Sequence, residues 1–205
     1  MAGPVLWLAR HGETEWSKTG KHTGRTDVPL TRVGEQEAGA LGQLLRAEPF
    51  ELVEASPRLR ALRTAELAGF KPEVDEDLVE WDYGDFEGRT TDQIRVTYPG
   101  WTVWDGPWPG GETPAEVAER ADRALGRILA LPPGSTVLLF SHQHFLRVLT
   151  ARWLHQPPAF GRFLVLVTGT VSVLGWERDT PVIKHWSIPP PRRGRVAPGA
   201  PVEER

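Results

Sequence analysis

Arg10 and His11, adjacent residues near the start of the chain, carry side chains suited to phosphoryl chemistry. They follow the apolar run of residues 6–9 and precede Gly12. An arginine guanidinium presents a planar fork of donors that matches phosphoryl oxygens. A histidine whose tautomer is fixed can act as a nucleophile. Because Arg-His pairs also occur by chance, this pair gains meaning only from the rest of the sequence.

Three other segments place polar residues where a strand or helix is expected to begin or end, namely residues 56–60, 80–84 and 141–142. Together with Arg10 and His11 they supply what phosphoryl transfer through histidine requires. One imidazole attacks phosphorus, while arginines and a second imidazole neutralise charge on the equatorial oxygens. A carboxylic acid protonates the leaving oxygen and then, as carboxylate, activates water. The set predicts a reaction that passes through a phosphohistidine.

The elements that must position these residues alternate between strands and helices. Apolar runs predict strands over residues 4–9, 50–55, 136–140, 163–167, 170–176 and 182–186. Apolar periodicity, capping residues and stop signals predict helices over residues 31–46, 59–67, 91–98, 113–131 and 145–154. This order predicts a three-layer α/β/α fold with a mainly parallel central sheet. The carboxyl ends of its parallel strands then meet at one edge, which is where ligands bind in such sheets.

The remaining segments show little periodicity. Residues 13–29 are rich in Gly, Thr and charge and are interpreted as a loop, whereas residues 73–79 are ambiguous and allow a short strand. A segment of about residues 81–111 holds clustered tryptophans, at positions 81, 101, 104 and 108. These aromatics either fill the core or form a lid-like wall over the substrate, and the sequence leaves both interpretations open.

Composition narrows the function classes. At 205 residues, the chain is expected to form one soluble domain over residues 1–188, followed by a disordered Pro/Gly/Arg-rich tail over residues 189–205. The net charge of -3 shows no nucleic-acid footprint, and no apolar run approaches the roughly 20 residues of a membrane span. The count of 0 cysteines excludes disulfides, thiolate zinc sites and cysteine nucleophiles. With no visible signal peptide, we expect a cytoplasmic protein.

Five segments resemble the histidine phosphatase superfamily, in its phosphoglycerate-mutase-like branch, and they occur in the order of that branch. They are residues 8–14 (LARHGET), 23–31 (TGRTDVPLT), 56–65 (SPRLRALRTA), 80–88 (EWDYGDFEG) and 140–142 (FSH). The resemblance extends from about Leu6 to the closing strands. Within the superfamily, the sequence is similar to acid-phosphatase-like and sugar-bisphosphatase-like members. It implies the phosphoglycerate-mutase-like fold and a phosphatase without metal or other cofactor.

Carried over by position, the resemblance implies catalytic roles for five residues. His11 is the expected nucleophile, Glu80 the proton donor and His142 the second catalytic histidine. Arg10 and Arg60 are expected to grip the phosphate.

The resemblance also implies positions that bind substrate beside the two arginines. These are Thr23 and Gly24, together with Ser17, where many members place an asparagine, and Gln143, where glycine is usual.

Plainer interpretations stand beside these roles. Glu80 could be an ordinary loop carboxylate, and Arg58 and Arg63 are interpreted as surface charges on the helix of Arg60. His142 and His144 have the spacing of a metal-binding pair, but a metal site needs further ligands nearby. His144 is therefore expected to begin a helix and pack.

Phosphatase and mutase use the same chemistry. A mutase needs basic residues to hold the carboxylate of a phosphoglycerate, and residues 81–111 offer only Arg89 and Arg95. We therefore predict a phosphatase acting on a small phosphorylated metabolite such as a sugar phosphate, with a mildly acidic optimum. Phosphoglycerate mutase is the alternative, followed by a phosphoprotein phosphatase and a non-catalytic binder on the same fold. A homodimer is also considered.

Overall fold

The computed structural model describes residues 3–190, so the predicted tail lies outside the described residues from residue 191 onward. Six strands are present in this part of the chain: β1 (Val5–Arg10), β2 (Leu52–Ala55), β3 (Glu73–Val74), β4 (Thr136–Ser141), β5 (Val171–Glu177) and β6 (Thr180–Ile188). Its α-helices are α1 (Glu15–Lys18), α2 (Arg32–Leu45), α3 (Leu59–Ala68), α4 (Thr91–Arg95), α5 (Pro114–Leu129) and α6 (Gln143–Trp153). Short 3₁₀ turns occupy Glu76–Leu78, Gly84–Phe86 and Pro158–Phe163.

The six strands form one mixed sheet in the order β3-β2-β4-β1-β5-β6. β1 and β2 both pair in parallel with β4, and β3 pairs in parallel with β2. β5 runs antiparallel to β1, and β6 forms an antiparallel hairpin with β5. The predicted α/β fold with a mainly parallel sheet is confirmed.

Both faces of the sheet are covered, which explains the continuous apolar character of its central strands. On β1, Leu6 and Leu8 pack on the side of α5 and α6, whereas Ala9 packs on the side of α2 and α3. The alternation follows from the two-residue period of a strand. The helices therefore lie in two layers around the sheet.

Helix limits follow local signals that the sequence contains. Thr31 caps α2 by accepting from the Gly34 N–H, and Thr113 with Glu116 forms a capping box at the start of α5. α3 ends at Gly69, as expected. Among the described helices, none combines the length and the apolar character needed to cross a bilayer.

Two segments differ from expectation. The strand predicted over residues 163–167 is wrong, because both sheet positions beside β5 are taken by β1 and β6. Phe163, Val165 and Val167 are exposed instead. The loop predicted over residues 13–29 contains the one-turn helix α1, which Thr14 and Ser17 cap reciprocally.

The parallel arrangement brings three strand ends to one edge. β1 ends at Arg10, β2 ends just before Ser56, and β4 ends just before His142. Since β4 lies between β1 and β2, these ends are neighbours. The predicted meeting of the polar segments at one edge is thus what the topology produces.

Candidate active site

A cavity of about 470 Å³ opens beside the strand ends. Of the nine residues predicted to be catalytic or to bind substrate, six line the cavity, namely Arg10, His11, Ser17, Thr23, Glu80 and Gln143. Arg60, His142 and Gly24 are not part of its lining. The cavity is thus bounded by basic, acidic and nucleophilic groups from four separate segments of the chain.

His11 has one fixed tautomer. Its Nδ1 lies 2.8 Å from the Gly12 carbonyl oxygen, which can only accept, so Nδ1 carries the proton and Nε2 keeps its lone pair. Burial lowers the pKa of His11 well below the usual 6.5, and the nearby charges of Arg60 and Arg10 lower it further. The imidazole is therefore neutral and has the form of a nucleophile.

Arg10 presents an unsatisfied donor. Its Nη1 donates to the Leu166 carbonyl at 2.5 Å, while its buried Nε has no partner among the described residues. Burial lowers the pKa of Arg10 to about 10, against which the charge of Glu80 acts, so the guanidinium remains charged at neutral pH. A buried donor without a partner costs free energy. Arg10 also lines the cavity, where the charge of its guanidinium favours a bound oxyanion.

Arg60 and His142 are fully buried and bonded to each other. Arg60 Nε donates to His142 Nδ1 at 3.1 Å, so the proton of this neutral ring is on Nε2, which donates to Ser56 Oγ at 2.7 Å. The His142 and His11 ring centroids are 5.2 Å apart. Burial, followed by the charge of Arg60, lowers the pKa of His142 well below 6.5. Arg60 thus places positive charge close to both imidazoles from outside the cavity.

Glu80 is held at the N-terminus of α6. Its Oε1 accepts from the Phe145 N–H at 2.8 Å and the Trp81 N–H at 2.9 Å, and its Oε2 accepts from the His144 N–H at 3.1 Å. The first N–H groups of a helix have no partner within the helix and suit a carboxylate. These bonds fix the carboxyl group at the cavity wall.

The loop after α1 is fastened by a residue that sequence reasoning did not single out. The Glu87 carboxylate accepts from the Gly24 N–H at 2.9 Å and from the Thr26 N–H at 3.0 Å. Arg60 in turn donates to the carbonyls of Thr23, Gly24 and Thr26. The Gly24 N–H therefore binds a carboxylate of the protein. Glu87 lies inside the 80–88 motif, which was the available signal.

Two other predicted binding residues have different surroundings. The Ser17 hydroxyl donates to the Thr14 carbonyl at 3.0 Å and accepts from the Thr14 N–H at 2.9 Å, and the residue is part of the cavity lining. The Thr23 hydroxyl donates to the Lys21 carbonyl at 3.1 Å.

Of the two arginines assigned to the surface, Arg63 is exposed, whereas Arg58 is half-buried with a buried Nε that lacks a partner among residues 3–190.

The tryptophan segment packs in the core and also lines the cavity. Trp101 and Trp104 are nearly fully buried within the core cluster, and each also lines the cavity. Trp81 is completely buried and donates through Nε1 to the Glu112 carbonyl at 2.8 Å. The segment is thus a packed wall of the cavity that is continuous with the core.

The side chains of His142 and His144 do not form a shared metal site. His142 Nε2 bonds to Ser56, whereas His144 Nδ1 lies 2.7 Å from the Tyr83 hydroxyl. Within the part of the chain that the structure describes, no group of three or more His, Cys, Asp or Glu side chains could hold a metal ion.

Comparison with protein families gives a match to the histidine phosphatase superfamily (branch 1) over residues 6–189. The chain is 45% identical over 175 residues to an acid phosphatase of Mycobacterium tuberculosis, covering 84% of this chain and 86% of the relative. It is 35% identical over 182 residues to sedoheptulose 1,7-bisphosphatase of Saccharomyces cerevisiae, covering 73% and 67%.

Mutase-named relatives also match. A probable phosphoglycerate mutase GpmB of Salmonella choleraesuis is 33% identical over 193 residues, covering 89% of this chain and 90% of the relative. Among solved structures, the product of a Mycobacterium tuberculosis open reading frame superposes with a TM-score of 0.87 at 42% identity, covering 90% of this chain and 97% of the other. Fold and sequence therefore point to the same set of proteins.

Proposed function

Because the chain belongs to branch 1 of the histidine phosphatase superfamily and is a phosphatase, we propose that it hydrolyses small phosphorylated metabolites of the sugar-phosphate kind through a phosphohistidine at His11. The observation that carries this proposal is the state of His11, whose Nδ1 is tied to the Gly12 carbonyl while its neutral ring lines the cavity. A lone pair on Nε2 is thereby available to attack phosphorus.

In the first step, His11 Nε2 forms a bond to phosphorus as the bond between phosphorus and the ester oxygen breaks. Glu80, in its carboxylic acid form, gives its proton to the departing oxygen. The Arg10 guanidinium, which lines the cavity, donates to a phosphoryl oxygen, and the buried charge of Arg60 favours the developing negative charge. The products are the alcohol and a phosphohistidine.

In the second step, water attacks phosphorus and the bond to Nε2 breaks. Glu80, now a carboxylate, takes a proton from the water and returns to its acid form. His11 leaves as the neutral imidazole with its proton still on Nδ1. The net reaction converts a phosphomonoester and water into an alcohol and inorganic phosphate.

Phosphatase activity fits the chain better than mutase activity. The identities to phosphatase-named relatives, 45% and 35%, exceed the 33% to the probable phosphoglycerate mutase. A mutase must hold a substrate carboxylate. Of the arginines in residues 81–111, only Arg95 lines the cavity, and its Nε donates to the Trp101 carbonyl, while Lys21 and Arg162 line the cavity from other segments. The name of the yeast relative supports a sugar phosphate as substrate.

Further predictions complete the proposal. We expect the phosphatase to act in the cytoplasm. We also expect it to act on small molecules rather than on phosphoproteins, because the proposed nucleophile lines a cavity of about 470 Å³. Assembly into a homodimer stays a prediction, which light scattering of the purified protein would test.

The test is phosphate release from sugar phosphates, phosphoglycerates, phosphopeptides and 4-nitrophenyl phosphate by the native chain and by His11→Ala. We expect release by the native chain, with or without EDTA, and none above background by the variant. Rapid quenching in alkali should trap a phosphorylated native chain that loses its label in acid, as a phosphohistidine does.

Each other outcome decides against part of the proposal. Interconversion of phosphoglycerate isomers without phosphate release would favour a mutase. Preference for phosphopeptides would favour a phosphoprotein phosphatase, and no reaction at all would favour a binder. Loss of activity in EDTA would reopen a metal role for His142 and His144.

A further inference from the structure

Besides the proposed catalytic groups, the cavity contains a second histidine site that the proposed mechanism does not use. His144 and Tyr83 both line the cavity, and His144 Nδ1 lies 2.7 Å from the Tyr83 hydroxyl. The His144 ring packs against Trp104 with 5.5 Å between ring centroids and against Trp81 with 6.4 Å. Aromatic packing therefore holds the ring in place with one edge toward the cavity.

The hydrogen bond to Tyr83 determines where the proton of His144 resides. Tyr83 is only 5% exposed, and within residues 3–190 its hydroxyl has no partner other than His144. If the imidazole donated, the buried hydroxyl hydrogen would have no acceptor, at a free-energy cost that the opposite arrangement avoids. Tyr83 therefore donates, and His144 accepts at Nδ1.

His144 is neutral, so its single proton is on Nε2. Burial lowers the pKa of His144 well below 6.5, with Arg147 and His22 adding to the shift, and burial raises the pKa of Tyr83 well above 10. His144 is half-buried, and no described residue bonds its Nε2. The ring thus offers the cavity one N–H donor without a net charge.

The donor is placed beside the group that would protonate the leaving oxygen. The backbone N–H of His144 donates to Glu80 Oε2 at 3.1 Å, so carboxyl group and imidazole belong to the same turn of the cavity wall. A leaving group whose ester oxygen faces Glu80 brings its next atoms toward His144. A neutral donor suits a hydroxyl oxygen there, and the tryptophan wall suits the carbon face of a polyol or sugar.

We propose that His144 Nε2–H, oriented by Tyr83, donates a hydrogen bond to a hydroxyl of the leaving group and makes the enzyme prefer phosphomonoesters of polyhydroxy alcohols over those of simple alcohols. This inference rests on the proposed function, since it assigns a specificity-determining role within the same cavity. His144 is the residue that touches the substrate, and Tyr83 is a positioning residue that acts through it.

The test compares kcat/KM for glycerol 3-phosphate and propyl phosphate, two esters that have equal carbon skeletons and differ in their hydroxyls. One lost hydrogen bond of ordinary strength corresponds to roughly a 5- to 10-fold change. The ratio measured is kcat/KM for glycerol 3-phosphate divided by kcat/KM for propyl phosphate. We therefore expect His144→Phe, which keeps an aromatic ring beside Trp81 and Trp104, to lower this ratio by that factor. Any intrinsic difference in reactivity between the esters is the same for every variant and cancels.

Two further variants separate hydrogen bonding from structural damage. His144→Gln retains an N–H donor and should restore part of the ratio. Tyr83→Phe should lower the ratio less than His144→Phe does, and the double variant should lower it no further than His144→Phe alone. His185→Phe, an exposed position on β6, is the matched control and should leave the ratio at the native value.

The inference and the proposed function fail in different ways. If native enzyme releases phosphate but His144→Phe slows both esters equally, the ratio is unchanged and the role of His144 is overturned while phosphatase activity stands. If Tyr83→Phe and His144→Phe act independently, the orienting role of Tyr83 is overturned. If the native chain hydrolyses neither ester nor any chromogenic phosphate, both the inference and the proposed function are overturned.

Discussion

At His11, the surroundings favour the uncharged imidazole. Burial lowers its pKa well below 6.5, and Arg60 and Arg10 lower it further. A lowered pKa means that the neutral, nucleophilic form persists into more acidic solution, so protonation removes it only well below pH 6.5. This is compatible with the mildly acidic optimum expected from the sequence, which stays a prediction.

We predict that an NMR titration of the imidazole nitrogens will show His11 neutral at pH 6.5 with a midpoint well below that value. The signal is assigned by its absence from His11→Ala. Titrating the imidazole directly avoids confusion with the substrate, because a phosphate monoester itself changes charge near pH 6. A midpoint at or above 6.5 would show that the burial and the two guanidinium charges do not act as the structure indicates.

Glu87 has a role that is visible only in three dimensions. Its carboxylate receives the N–H groups of Gly24 and Thr26, and the same loop accepts from Arg60. We predict that Glu87→Gln lowers the free energy of unfolding by about 1.5–3 kcal/mol, the usual contribution of a hydrogen bond to a charged group. It should also lower kcat, because Arg60 loses the support of the loop.

Urea denaturation and steady-state kinetics measure the two effects of Glu87→Gln. Glu66→Gln is the matched control, since Glu66 is an exposed carboxylate paired with Arg63 and should change stability by less than about 0.5 kcal/mol. If Glu87→Gln behaves like this control, the carboxylate does not fasten the loop.

At the scale of elements, a close approach between a loop and a helix sets the position of His11. A Cβ at Gly34, in the first turn of α2, would lie 2.1 Å from the Glu13 carbonyl oxygen, and one at Gly12 would lie 2.3 Å from the Gly34 carbonyl oxygen. Only glycine permits this contact. The loop that follows β1 is therefore pressed against the N-terminus of α2.

We predict that Gly34→Ala destabilises the protein by more than about 2 kcal/mol and lowers kcat, because backbone must move beside His11, the proposed nucleophile. Gly39→Ala, five residues further along the same helix, has no atom within 4 Å of its new Cβ and should stabilise by about 0.5–1 kcal/mol. Thermal denaturation of both variants compares the same substitution in one helix. Equal effects would mean that the close contact is not maintained in solution.

The elements that sequence predicts well are those with strong local signals. Thr31, Gly69 and the Thr113–Glu116 capping box mark helix ends that the structure confirms to within a few residues. The strand predicted over residues 163–167 is wrong because a continuous apolar run is a local signal, whereas pairing within the sheet depends on which strands already lie beside each other. That segment instead brings the Leu166 carbonyl to Arg10.

The candidate site shows the same division. Arg10, His11 and Glu80 could be found from the sequence because each lies in a short motif, the first two at the end of β1 and Glu80 at the start of residues 80–88. The placement of Arg60 and His142 outside the cavity, and the pairing of Tyr83 with His144, arise from contacts between residues 61 or more positions apart. No spacing rule encodes such contacts, so they appear only in the fold.

At the scale of the whole molecule, the charge of the nearly buried Arg10 couples anion binding to stability. A ligand that binds only the folded state stabilises it by about 2.7 kcal/mol at 100 times its dissociation constant. For a chain of this size that corresponds to a rise in Tm of about 5–10 °C. The cavity that contains Arg10 and His11 is the place where such an anion is expected to bind.

We predict this rise in Tm with saturating inorganic phosphate, the product of the proposed reaction, and none with chloride at the same ionic strength. Arg10→Met should abolish the rise, because the guanidinium charge and its N–H donors are lost together. Arg63→Met removes an exposed arginine of α3 and should keep the full rise. A rise that survives Arg10→Met would place phosphate elsewhere on the protein, and a rise lost equally in Arg63→Met would reflect net charge. The comparison thus links a property of the whole fold to one nearly buried guanidinium at the cavity wall.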